Sequence, residues 1–189
     1  MKIVILLGSV RVGRQTYKAT QYLQSRLNAV EGVSAQVIDL REWQIPIFED
    51  RWQKMDQPPT QLPNLSETLA QADGLVFASP EYHGSYTGVL KNAVDHYWSE
   101  FYRKPIGVVA TGAGRFGGIN ASTEMQQLAL SIGGFPMPYK LLVPNIKHAF
   151  DEEDQPREDW LVDSVSRFVK EYLWYAHAIV AAKELEPVP

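Results

Sequence analysis

Three short stretches of this sequence gather residues suited to holding an anion and a flat ring. The first is Gly8-Ser9-Val10-Arg11-Val12-Gly13-Arg14-Gln15-Thr16, with two hydroxyls, an amide and two guanidinium groups. A helix opens near its end, so free N–H groups and a positive dipole end face whatever lies there. That is phosphate chemistry, because a guanidinium can donate to two phosphate oxygens at once. The stretch lacks the Gly-Lys-Ser/Thr of a Walker A loop and is not Gly-x-Gly-x-x-Gly either. By itself it reads equally as a phosphate cradle and as a solvated strand-to-helix turn with surface arginines.

The second stretch is Ser79-Pro80-Glu81-Tyr82-His83-Gly84-Ser85. Tyr82 offers a flat apolar face with a polar tip, suited to stacking on a planar ring. Backbone N–H groups beside it can bond ring heteroatoms. Taken alone, the stretch reads first as a tight turn with a half-buried tyrosine and a helix-capping serine. Glu81 and His83 suggest proton transfer, but no third group is visible to orient the imidazole. The third stretch, Thr111-Gly112-Ala113-Gly114-Arg115-Phe116-Gly117-Gly118, holds four glycines in eight residues. Such a loop lets backbone approach a ligand closely.

What must position these stretches is a set of alternating strands and helices. Ile3–Leu7, Val33–Leu40, Leu75–Ser79, Ile106–Ala110 and Leu141–Val143 read as strands, three of them continuous apolar runs of the kind covered on both faces. Between them, apolar residues recur at helical spacing: Ala19, Leu23 and Leu27, then a short helix over 63–72, then Val89 to Tyr97. Met125, Leu128, Ala129 and Ile132 follow, and finally Leu161 to Ala176. Pro156 fits the first position of that last helix. Trp43 to Pro59 has no period and holds two tryptophans, so it is expected to cap a pocket, line an interface or cover the sheet edge. Trp98, Phe101 and Tyr102 suit core or interface, and Trp174, Tyr175 and His177 a mix of core and surface. Five strands alternating with five helices predict a parallel sheet with helices on both faces. Ligands of such sheets sit at the carboxyl ends of the strands where the strand order reverses. The three stretches follow strands one, three and four, so they converge there.

Composition narrows the alternatives. With 189 residues, the chain is one domain's worth at roughly 150 residues per domain. A net charge of −4 argues against a protein built mainly to neutralise nucleic-acid phosphates. The absence of cysteine excludes disulfides, thiolate metal sites and cysteine nucleophiles. His96 and His148 lack the spacing of a metal site. No run reaches the roughly 18 apolar residues of a membrane span. The first seven residues are too short for a signal-peptide core, so the cytoplasm is the expected location.

Gly8-Ser9-x-Arg11, followed by Ser79 to Ser85 running into Gly88-Val89-Leu90-Lys91-Asn92-Ala93-Val94-Asp95, resembles the NAD(P)H-dependent FMN reductase family. These are flavodoxin-like proteins, similar to the bacterial FMN-dependent azo, quinone and chromate reductases. The resemblance spans residues 1 to 145 and is most specific from Ser79 to Asp95. Ile45-Pro46-Ile47-Phe48-Glu49-Asp50 also resembles the family's stretch after strand two.

The resemblance implies a flavodoxin-like three-layer α/β sandwich, its five-stranded parallel sheet in the order 2-1-3-4-5. Residues 1–183 then form a single FMN-binding domain, with 184–189 a frayed tail. Carried over by motif position, Ser9, Arg11, Gln15 and Thr16 hold the FMN phosphate. Pro80, Glu81, Tyr82 and His83 border the isoalloxazine ring, with Gly84 and Ser85 close by. Thr111, Gly112 and Gly114 approach its other edge. NADPH or NADH supplies hydride, and the acceptor is a small molecule: a quinone, an azo compound, chromate or free flavin. The chemistry belongs to the cofactor, so no side-chain nucleophile is required. Family members are usually homodimers or homotetramers, and they often carry asparagine where His83 stands. The alternative is a flavodoxin-like electron carrier without its own pyridine-nucleotide chemistry. A charge of −4 is modest for a carrier that docks electrostatically.

Overall fold

A computed structural model describes residues 1–185. Its sheet is built from β1 (Lys2–Leu7), β2 (Ser34–Asp39), β3 (Gly74–Pro80) and β4 (Pro105–Thr111), with β5 (Phe135–Pro136) and β6 (Leu141–Val143) sharing the far edge. The order is β2-β1-β3-β4-β5, β6 also pairs with β4, and every pairing is parallel. β3 and β4 are buried along their whole length, as their unbroken apolar runs require. β2 lies at the edge and is only partly buried, through Ala35 on one face and Ile38 on the other.

The fifth strand position differs from the single segment expected at 141–143. It is divided: Phe135 and Met137 donate to the carbonyls of Lys104 and Ile106, and the chain then leaves β4 over residues 138–140. Pairing with β4 resumes at Leu141.

The described residues form six α-helices around the sheet: α1 (Thr16–Asn28), α2 (Leu40–Trp43), α3 (Gln61–Gln71), α4 (Gly88–Asp95), α5 (Ile119–Ser131) and α6 (Asp159–Leu185). Alternate residues of each strand point to opposite faces. Ile3, Ile5 and Leu7 of β1 pack with α1 and α6, through Leu23, Leu27, Phe168 and Tyr172. Val4 and Leu6 pack with α3, α4 and α5, through Leu65, Leu90 and Met125. Gly107 of β4 makes room for α6: a Cβ there would sit 2.9 Å from Phe168 Cζ, and the Phe168 and Tyr172 rings stack with centroids 5.9 Å apart.

Three boundaries depart from the sequence reading. The stretch after β2 opens with a helical turn, α2, capped by Asp39, whose carboxylate accepts from Arg41 N at 3.1 Å. Gln44, at φ 46°, ends it in the left-handed region. Pro156 does not begin the last helix. It bridges to Phe150, and Arg157 N donates to Ala149 O, so a small hairpin precedes Asp159. α4 stops at Asp95, short of Tyr97. Beyond it Phe101 is buried against Phe77 and Tyr97, while Trp98 and Tyr102 face outward. Of the expected tail, Glu184 and Leu185 belong to α6, and 186–189 lie outside the described residues. No helix among the described residues is long and apolar enough to cross a membrane.

Lys104, just ahead of β4, is buried and donates to the last-turn carbonyls of α3, Leu69 O and Ala70 O, the latter at 2.9 Å. Burial, aided by Lys183, pushes its ammonium down to about 8. The folded chain therefore releases this proton near pH 8, while the unfolded chain keeps it to about pH 10.4. Between those values the unfolded state binds more protons, so stability rises with pH. Tyr97 and Tyr172, raised chiefly by burial, oppose this only above about pH 10. Urea unfolding at steps from pH 8 to 10 should show an increase that is smaller in Lys104→Met. An identical slope in the variant would remove the lysine as its source.

Candidate functional site

The strand order reverses between β1 and β3. α1 leaves β1 toward one face and α4 leaves β3 toward the other, so the carboxyl ends of the two strands stay open. A cleft of about 220 Å³ lies there. Ser9, Arg11, Arg14, Gln15 and Thr16 wall it from the first loop, and Pro80, Glu81 and Tyr82 from the second. Thr111, Gly112 and Ala113 come from the third, with Ile146 and Lys147 from the segment after β6.

The loops are locked to one another around this space. Gly8 seats the first loop on α4: a Cβ there would lie 2.8 Å from both Leu90 Cβ and Thr87 Oγ1. Thr87, the N-cap of α4, donates its hydroxyl to Gly8 O at 2.6 Å and its N–H to Ser79 Oγ at 3.0 Å. The helix-capping serine expected in the second loop is thus this threonine. Thr16 and Thr111 join the first and third loops, their buried hydroxyls 2.7 Å apart. Glu81 N donates to Thr111 O at 2.9 Å, and Gly112 N to Val143 O at 3.1 Å. Gly112 admits no side chain, since a Cβ would meet Gly118 N at 2.9 Å.

Charge in the cleft is sorted by partners far along the chain. Arg14 is bound by both carboxylate oxygens of Asp39 and also donates to Ser9 O at 2.7 Å. The Asp39 hydrogen bond raises its pKa further despite burial, so its charge is fixed and spent. Arg11 makes no salt bridge among the described residues; its guanidinium lies 5.9 Å from the Tyr82 ring centroid. α1 begins without a side-chain cap and with no acidic residue in its first turn. Its positive pole therefore faces the cleft uncompensated.

Glu81 borders the cleft, but its carboxylate accepts from Asn120 N and Ala121 N at 3.0 and 3.2 Å and from Asn120 Nδ2. It caps the opening of α5. Ser85 donates to Glu124 on the same helix. Between them Tyr82 and Ser85 exchange backbone hydrogen bonds around His83 (φ 53°) and Gly84 (φ 79°). Two positive φ values at the centre make a type I′ turn, which favours Asn-Gly; histidine is among the few other residues that enter this region readily. Glu81 and His83 thus form no acid–base pair: one is a helix cap and the other an exposed turn residue.

The structure brings nine of the thirteen expected site residues to the cleft wall: Ser9, Arg11, Gln15, Thr16, Pro80, Glu81, Tyr82, Thr111 and Gly112. His83, Gly84 and Ser85 form the adjoining turn, and Gly114 turns its carbonyl to Asn145 N at 3.2 Å. Ala113, Ile146 and Lys147 escaped the sequence reading. The last two belong to the segment between β6 and α6; Ile146 N, bonded to Gly112 O at 3.1 Å, folds it against the third loop. Trp43 and Trp52 pack on the core beside α3 and α4, as sheet-edge cover. Phe48 stands edge-on to His96, its N–H on Asn92 Oδ1.

A parallel sheet of this order, opened at its switch point beside a helix amino terminus and an arginine without a salt bridge among the described residues, defines a flavodoxin-like α/β protein. The profile of the NADPH-dependent FMN reductases matches residues 1–148. The chain belongs to that family, whose oxidoreductase chemistry uses FMN and NADPH. An FMN-dependent NADPH-azoreductase of Staphylococcus saprophyticus is 32% identical over 185 residues, covering 90% of this chain and 96% of that protein. One from Staphylococcus haemolyticus is 30% identical over 184 residues, covering 89% of this chain and 95% of its own. Among solved structures, the flavoenzyme FerB, an NAD(P)H:(acceptor) oxidoreductase from Paracoccus denitrificans, superposes with a TM-score of 0.78 at 20% identity, covering 94% and 97% of the two chains. That likeness shows the shared fold.

The turn geometry is testable without ligand. His83→Asn should leave stability unchanged or slightly raised, whereas His83→Val, forcing a β-branched residue to positive φ, should cost about 1–3 kcal/mol. Thermal unfolding measures both, and a harmless valine would disprove the strained turn.

Proposed function

We propose that the chain, with residues 1–183 as one domain, is an NAD(P)H-dependent reductase that holds FMN in this cleft and passes electrons to a small acceptor. The observation that carries this reading is the donor set around the first turn of α1. The free guanidinium of Arg11, the hydroxyls of Ser9 and Thr16, the Gln15 amide and the open N–H groups meet there. Among the described residues, the one carboxylate on the cleft wall, Glu81, is engaged by α5, and Asp39 is engaged by Arg14. A dianionic phosphate fits that set in charge and geometry.

The other residues then take distinct parts. Thr111 donates to or accepts from Thr16, leaving one hydroxyl proton of the pair for the ligand. Pro80, the Glu81 backbone and the Tyr82 ring border the flat portion of the cofactor, with Thr111 and Gly112 opposite. His83, Gly84, Ser85 and Gly114 act through loop shape, setting where Tyr82 and Gly112 stand. Bound FMN supplies the ring that accepts hydride and returns electrons; the chain orients it and limits water. No side chain is assigned a bond-making role.

NADPH and NADH are both candidate donors. Among acceptors, an azo compound is favoured by the azoreductase relatives over quinone, chromate or free flavin. Arg11→Ala should weaken FMN binding about tenfold or more while leaving riboflavin binding nearly unchanged, because only the phosphate is lost as a partner. In anaerobic stopped flow, the FMN-loaded protein should be bleached by NADPH or NADH. Unchanged FMN affinity would reject the phosphate assignment, and no bleaching with FMN bound would favour the electron-carrier reading.

The working unit is a homo-oligomer in the cytoplasm, without nucleic-acid or membrane partners. Trp98 at 57% exposure and Leu130 at 62% leave apolar surface beside α4 and on α5, which a second copy would cover. Sedimentation should give at least a dimer, and Trp98→Glu should shift it toward monomer. A monomeric parent at micromolar concentration would refute the assembly.

A further inference from the structure

Four cations lie around the opening turns of α1, and the fold commits two of them. Arg14 is held by Asp39, and Lys18 by Asp154 at 2.7 Å and by Asp151 O at 2.7 Å. Arg11 and Lys147 make no salt bridge among the described residues, and both wall the same cleft. The only carboxylate on that wall, again among the described residues, is Glu81, already bound at the head of α5. Building on the FMN assignment above, we infer that Lys147 is the second cation of the flavin phosphate site, supplied by the segment after β6.

Position and charge both support this. The root of Lys147 is fixed by its neighbours: Ile146 N on Gly112 O at 3.1 Å, Asn145 N on Gly114 O at 3.2 Å, and His148 N on Asn145 O at 2.8 Å. From there the chain runs along α1, where Phe150 meets Tyr22 with ring centroids 6.4 Å apart and Asp151 O receives Lys18. Lys147 therefore enters the cleft from the segment that runs on along α1, and shares its wall with Thr16 and Thr111, while the Tyr82 turn is tied to α5 by Glu81 and Ser85. A phosphate monoester carries about −1.5 to −2 near pH 7. Arg11 and the roughly half charge of a helix end together match only the lower end of that range, and a second cation covers the fully dianionic form. An exposed lysine on a fixed backbone suits this task, since its stem can reach in when the anion arrives.

The test compares Lys147→Gln and Lys147→Arg with the parent and Arg11→Ala. Flavin-free protein is titrated with FMN and with riboflavin, at low and high salt, by flavin fluorescence. Lys147→Gln should weaken FMN about three- to tenfold, flatten its salt dependence and leave riboflavin unchanged. Lys147→Arg should restore FMN binding. Equal weakening of FMN and riboflavin would overturn the inference, because charge on the phosphate would not be the cause. So would unchanged FMN affinity accompanied by a shifted NADPH-to-NADH preference, which would assign the lysine to the nucleotide donor. If Arg11→Ala weakens FMN and Lys147→Gln does not, this inference falls and the site stands; if neither does, both fall.

Discussion

β1 and β3 lie side by side, yet their following helices leave to opposite faces of the sheet. Everything else in the site depends on that divergence. Had both helices packed on one face, their first turns would have covered the strand ends. Because they part, the carboxyl ends of β1 and β3 remain uncovered, and the loops that follow must reach across the gap. The two apolar layers enforce the geometry. Ile3, Ile5 and Leu7 hold α1 and α6, while Val4 and Leu6 hold the opposite layer, so neither helix can change sides without exposing half a core.

Rigidity at the cleft comes from small contacts of high order in sequence. Gly8 lets the first loop touch α4, Thr87 bonds back to Gly8, and Thr16 finds Thr111. Each buried polar group so used avoids the cost of an unsatisfied one, of order 1–3 kcal/mol. The same economy appears in the charges. Arg14, Lys18 and Glu81 serve as braces between segments, which leaves Arg11, Lys147 and the helix end as positive charge at the cleft without a salt bridge among the described residues, in a chain that is acidic overall. In the proposed site a ligand phosphate would meet cations that have no salt bridge among the described residues, with no counter-charge to displace before it binds.

Much of the fold was legible because its cause is local. Unbroken apolar runs announced β1, β3 and β4, and helical spacing announced α1, α3, α5 and α6. The division of the fifth strand is not legible in the sequence, since where the chain leaves β4 and rejoins it depends on the partner strand and not on local order. Pro156 suited a helix start by propensity, but the pairing with Phe150 took it into a hairpin. The loop residues were also legible as types: hydroxyls, arginines, a tyrosine and glycines at three strand ends.

What the sequence determined by itself was therefore the alternation of elements, the parallel sheet it implies and the three loops that must meet at one end. Which side chains in those loops are free was decided only by tertiary structure. Arg11 and Arg14 look alike in sequence; Asp39, 25 residues beyond Arg14, makes one a brace and leaves the other open. Glu81 looks like a ligand or a base until α5 arrives to use its carboxylate. Ile146 and Lys147 belong to no motif, and a backbone bond to Gly112 brings them to the cleft. Periodicity and turn chemistry act over a few residues and can be read from order alone. Hydrogen bonds and ion pairs act over a few ångströms, between residues whose separation along the chain sets no limit on how closely folding brings them.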